Sequence, residues 1–132
     1  MTRAQRSSLE RYLSEAQQIL NLGQWKIELG DSPCEEDALA EIEVSENLWQ
    51  AKIRVAHGFF KEKPEEQRDT IAHELIHVHT AGIERARDRM EKTLGELAWP
   101  VFQSSMENEV ERAVDALAKI VAPTLPMPDF PA

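Results

Sequence analysis

Cysteine is nearly missing: Cys34 is the one thiol in 132 residues. A single thiol excludes an intrachain disulfide and a cysteine-rich zinc cluster, and it suits a reducing compartment. Glycine is also scarce, with five in the chain, and they are scattered, so no glycine-rich phosphate loop and no nucleophile elbow is present. Basic residues are outnumbered, 15 Lys and Arg against 24 Asp and Glu, for a formal charge of −9. Such a surface repels phosphate backbones and anionic bilayers, so neither nucleic acid nor membrane is expected as a partner. No stretch approaches the ~18 uninterrupted apolar residues of a membrane-spanning helix. Residues 1–8 carry charge with no apolar run behind them, unlike a secretory signal. The expectation is a soluble, cytoplasmic chain.

What is present fits one modest domain: 42% hydrophobic and 30% charged residues over a length with no room for two cores. Leu9, Tyr12, Leu13, Ala16, Ile19 and Leu20 recur at steps of three and four, one stripe of a helix. Thr2 and Gln5 have capping-box spacing at its start, and Gly23 suits its end. The period then falls to two. Trp25–Leu29, Ala40–Val44 and Trp49–Val55 alternate apolar and polar residues as half-buried strands do. Residues 45–48 are short enough to join the last two as a hairpin. Residues 30–37 read as an acidic loop.

Helical spacing returns at Pro64, which suits a first helical position, with Glu65 and Glu66 at the positive end. This helix is expected to stop at Gly82. A second, with Ile83, Ala86, Met90, Leu94 and Leu97 inward, is expected to end at Pro100. Ser104 and Glu107 can cap a third, whose stripe is Met106, Val110, Ala113, Val114, Leu117 and Val121. The sum is an α+β domain over residues 1–122: one helix, a three-stranded sheet, then three helices. Residues 123–132 form a Pro-rich tail, expected to be a loose terminus or an extended apolar segment able to lie in a cleft and inhibit it.

Inside the Pro64 helix lies His73-Glu74-Leu75-Ile76-His77, an H-E-x-x-H. Residues four apart stand one turn above each other, so both imidazoles reach one metal ion while Glu74 reaches a water upon it. A catalytic zinc takes three protein ligands and keeps one open position. No histidine follows His79, so the third ligand is a carboxylate, or else His57, His79 or Cys34. His79 lies about 200° round the helix from His77 and faces away from the pair. Cys34 sits among Glu35, Glu36 and Asp37, whose charges oppose a thiolate. On the last helix Glu107, Glu111 and Asp115 share a stripe. Such a stripe serves equally as a solvated face, and Glu107 has a capping role, whereas Glu111 and Asp115 flank the apolar Val110, Val114 and Ala118.

Glu-x-x-x-Asp on a helix downstream of H-E-x-x-H resembles the gluzincin clan of zinc metallopeptidases. Trp25, the hairpin and Thr70–His77 are similar to small peptidase-like proteins of bacteria and phages, including ImmA-like ones. The resemblance implies a zincin-like fold with Zn²⁺ between the motif helix and the last helix. It implies ligands His73, His77 and Glu111, general base Glu74, and Asp115 supporting the first histidine. It assigns to Trp49–Ala56 the cleft-lining strand that pairs with an extended protein or peptide substrate. His79 departs from the apolar residue usual at its position. Tyr12, His57 and His79 are the candidates for an oxyanion or substrate contact. The implied activity is zinc-dependent peptide hydrolysis; the alternative is a zinc-binding regulatory protein that recognises a partner without cutting it.

Overall fold

The computed structural model describes residues 1–35 and 37–132; Glu36, counted above among the charges around Cys34, lies outside them. The chain opens with α1 (Arg3–Ile19), whose Thr2 and Gln5 cap one another reciprocally. Three strands follow: β1 (Lys26–Leu29), β2 (Ala40–Ser45) and β3 (Gln50–Val55). They form one mixed sheet in the order β1-β3-β2. β2 and β3 are the expected antiparallel hairpin, with Ile42 opposite Ile53 and Ser45 opposite Gln50. β1 runs parallel to β3, Lys26 beside Gln50 and Leu29 beside Ile53. β3 is therefore central, and its Ala51, Ile53 and Val55 are buried.

The hairpin turn, Glu46–Leu48, closes on Trp49 at φ 52°. A left-handed backbone disfavours a bulky L side chain, but the indole rests on Trp25 with ring centroids 5.1 Å apart. The sheet packs on α1 and on α2 (Pro64–Asp88) around Leu9, Leu22, Ile53, Phe59, Ile71 and Leu75, all essentially inaccessible to water. A second, smaller cluster, Ile76 with Val110, Val114 and Ala118, joins α2 to α3 (Glu91–Val121).

The helical half departs from expectation in where it breaks. α2 does not stop at Gly82 but continues to Asp88. Glycine ends a helix by adopting a left-handed conformation, and Gly82 remains helical; its bare Cα admits Glu46, since a Cβ there would meet Glu46 Oε1 at 3.3 Å. The break comes at Gly95, with φ 73° and ψ −177°. Pro100 does not end a helix either; it sits within α3. The carbonyl its ring crowds belongs to Glu96, one residue past the break, where the helix has only begun. The expected middle helix is thus divided between the end of α2 and the start of α3. Its stripe is not inward: Ile83, Met90 and Leu97 are exposed, Leu97 at 92%.

The tail is packed rather than loose. After one 3-10 turn at Ala122–Thr124, it runs back along α1. Leu125 is buried, Tyr12 donates its hydroxyl to the Pro126 carbonyl at 2.7 Å, and Gln5 donates to the Pro131 carbonyl at 3.1 Å. The Phe130 ring meets Tyr12, Phe59 and Phe60 at centroid distances of 5.5–5.9 Å. No described helix is long and apolar enough to cross a membrane.

Two outcomes follow from these contacts. Gly95→Ala puts its Cβ into open space, so its cost is backbone strain alone, about 1–3 kcal/mol in urea unfolding. Burial, opposed by the nearby Arg68, pushes the Tyr12 hydroxyl from 10.0 up to about 12. A raised pKa favours the protonated phenol in the fold, so its contribution is whole below pH 10 and is lost as pH rises through about 12. Unfolding free energy should fall between those limits more steeply in the wild type than in Tyr12→Phe, and equal slopes would contradict the assignment.

Candidate metal centre

α2 and α3 lie side by side and antiparallel, which brings two one-turn spacings into register. His73 and His77 are four residues apart on α2; Glu111 and Asp115 are four apart on α3. The reversed directions set His73 against Asp115 and His77 against Glu111. His73 Nδ1 is 3.0 Å from Asp115 Oδ1. That contact keeps the proton on Nδ1, which donates it to the carboxylate, and leaves the Nε2 lone pair facing the cavity.

Three donor atoms converge there. The two Nε2 atoms are 3.3 Å apart, His77 Nε2 is 2.9 Å from Glu111 Oε1, and His73 Nε2 is 3.6 Å from Glu111 Oε2. Ligand atoms about 2.1 Å from a common tetrahedral centre stand about 3.4 Å from one another. The observed separations straddle that value, and His73, His77 and Glu111 form a cluster able to hold one metal ion. Two imidazoles and a carboxylate suit Zn²⁺ and leave a fourth position open.

Glu74 lines the same cleft as the triad, a cavity of about 970 Å³. Its carboxyl is pushed up to about 8, first by burial, then by Glu111 and Glu41, against the lowering effect of a hydrogen bond from the Ile42 amide. A divalent cation between the imidazoles would act in the opposite sense. That amide bond also shows which side of β2 is free: Ile42 N–H points at Glu74 and away from β3. The cleft wall is β2, with Ala40, Ile42 and Val44 along it. Trp49–Ala56 was expected there, but β3 has a neighbour on both sides and no edge to offer. Ile42 and Glu41 were not singled out from the sequence, because strand order is a long-range property that local alternation does not carry.

The remaining candidates lie elsewhere. Tyr12 is bound to the tail. His57 lines a separate cavity with Met1, Arg6, Lys61 and Ala132. His79, turned away from the pair, bonds through Nε2 to the Leu20 carbonyl at 2.8 Å and ties α2 to the end of α1. Glu107 is 3.7 Å from Arg87 Nη1 and outside the triad. Cys34 is buried and donates to the Ala38 carbonyl; burial first, then Glu41, holds its thiol above the ordinary value.

No family model, curated protein or solved structure matches the chain. The fold and site stand on their own geometry: a helix, a small mixed sheet, then helices, with a His73/His77/Glu111 triad consistent with a zincin-like metal site.

Zinc content by elemental analysis is expected near one per chain in the wild type and near zero in His77→Ala and Glu111→Ala. Asp115→Ala should weaken zinc about 10–100-fold in competition with a chromophoric chelator, with Glu107→Ala unchanged. Equal effects of the last two substitutions would refute the pairing described for Asp115.

Proposed function

We propose that the chain is a zinc-dependent peptidase of gluzincin type. The observation that carries the reading is the convergence of His73, His77 and Glu111 on one point of a cleft that Glu74 also lines. Zn²⁺ held there supplies Lewis acidity, polarising a carbonyl oxygen and acidifying water. The two imidazoles and Glu111 hold the ion, and Asp115 fixes the His73 tautomer. Glu74 takes the proton of the attacking water and delivers it to the leaving amine nitrogen. The free edge of β2 pairs with an extended substrate by strand addition, its outward groups at Ile42 serving as the first partners.

One observation favours the alternative, a metal-binding protein that recognises a partner without cutting it. Tyr12, His57 and His79 do not line the cleft, so none of them supplies a donor for a developing oxyanion.

Glu74→Gln separates the two. The amide keeps the shape and loses the base, so zinc content should persist while cleavage of a peptide library falls by at least about 100-fold. A wild type that holds zinc and cleaves nothing would leave the recognition reading in its place. A Glu74→Gln variant that still cleaves would remove Glu74 from the role.

A further inference from the structure

The cleft has two ends of different chemistry. Beyond the triad toward the start of α2 lies a recess of about 410 Å³, walled mainly by Leu39, Ala40, Thr70 and Ala118 and lined also by Lys119, Asp69 and Asp115, the two carboxylates being engaged by Arg68 and His73. Toward the end of α2 the cleft passes between the hairpin and residues Glu84, Arg85 and Asp88. Ala40, His73 and Glu74 line both parts, so the two are continuous at the triad.

The charges of the second end do not cancel. Asp88 is paired with Arg87 at 2.9 Å. Arg85 is shared between Asn47 and Glu46, the latter at 3.7 Å. Glu46 and Asp88 thus each have a basic partner, whereas Glu84 has no ion pair among the described residues and its charge is left to the cleft.

β2 runs from the apolar recess to the acidic end. Antiparallel pairing is the stronger of the two modes per residue, so a chain added to β2 places its N-terminal part at Ser45–Leu48 and its C-terminal part at Ala40. The pattern fixes which side of the cut meets which chemistry. Resting on the peptidase reading, we propose that the substrate is a cationic polypeptide segment. A Lys or Arg side chain on the N-terminal side of the scissile bond meets Glu84, and a small apolar side chain just C-terminal to it enters the recess.

The test uses zinc-loaded full-length protein and two end-blocked decapeptide pools. Each carries Ala, Val or Leu at a central position, and they differ in having Lys or Glu two to four residues before it. Binding is read by fluorescence anisotropy and cleavage by mass spectrometry, each with Glu84→Lys and with Glu10→Lys. The second substitution makes the same change in net charge on α1. The wild type and Glu10→Lys should prefer the Lys pool on the order of tenfold, and Glu84→Lys should abolish or invert that preference. Cleavage, where it occurs, should fall immediately before the apolar residue.

Equal binding of the two pools would overturn the inference. So would equal loss of preference in both variants, which marks net charge alone, or cleavage with the basic residue on the C-terminal side. Absence of cleavage together with the predicted binding pattern would sink the peptidase reading and leave the cationic-segment assignment standing.

Discussion

The seam between α2 and α3 holds everything chemical in this molecule. Ile76 packs against Val110, Val114 and Ala118, and this small apolar contact sets the longitudinal register of two antiparallel helices. A side chain such as Val114, wholly buried, contributes about 1.5–3 kcal/mol through removal from water. Beside the seam, His77 reaches Glu111 and His73 reaches Asp115. A shift of α3 by one turn would exchange those partners and leave one imidazole without a carboxylate. The seam also works against electrostatics, since Glu111 and Glu41 both raise the Glu74 carboxyl. A divalent cation held there would turn that mutual repulsion into attraction and so link metal binding to stability of the α2–α3 pair.

The other wall of the cleft is fixed by different means. β2 is an edge because β1 crosses over to pair parallel with β3 on the far side. Its distance from α2 is set at the hairpin, where Glu46 approaches Gly82 and Arg85 reaches back to Asn47 and Glu46. A larger residue at 82 would push the hairpin outward and widen the cleft at its acidic end. The glycine expected to stop a helix instead sets the spacing between a helix and a strand.

The features legible in the sequence are those decided by neighbours along the chain. The Thr2–Gln5 capping box, the three alternating strands, the hairpin and the His73–His77 turn each depend on residues within four or five positions of one another. Features decided by distant parts were not legible. Gly82 looks like a stop until the surrounding turns, Ala81 and Ile83–Asp88, are seen to hold it helical. Pro100 looks like a terminator until the break at Gly95 moves the helix start to just before it. Leu97 and Met90 continue an apolar stripe, yet both face solvent, Leu97 almost wholly. The tail reads as loose because its prolines exclude a helix, but Phe130 and Leu125 find the aromatic and aliphatic surface of α1 and Phe59. Glu111 and Asp115 stood between these classes: their spacing and apolar neighbours favoured them over Glu107 in the sequence, whereas which histidine each one meets required the register of the seam.

That register also bears on how much chemistry the site can do. Peptide hydrolysis builds negative charge on the carbonyl oxygen, and the site must meet it with a donor or a cation. Arg85 is the guanidinium among the cleft residues, but it lies eight residues beyond His77, about 12 Å along the helix, and is engaged by the hairpin. Tyr12 and His79 are bound to backbone carbonyls elsewhere. The Ile42 amide, on the free side of β2, is engaged by Glu74. Under the proposed peptidase reading, a substrate strand pairing with β2 would compete for that amide and release the Glu74 carboxylate, coupling substrate binding to the base through the edge of a single strand.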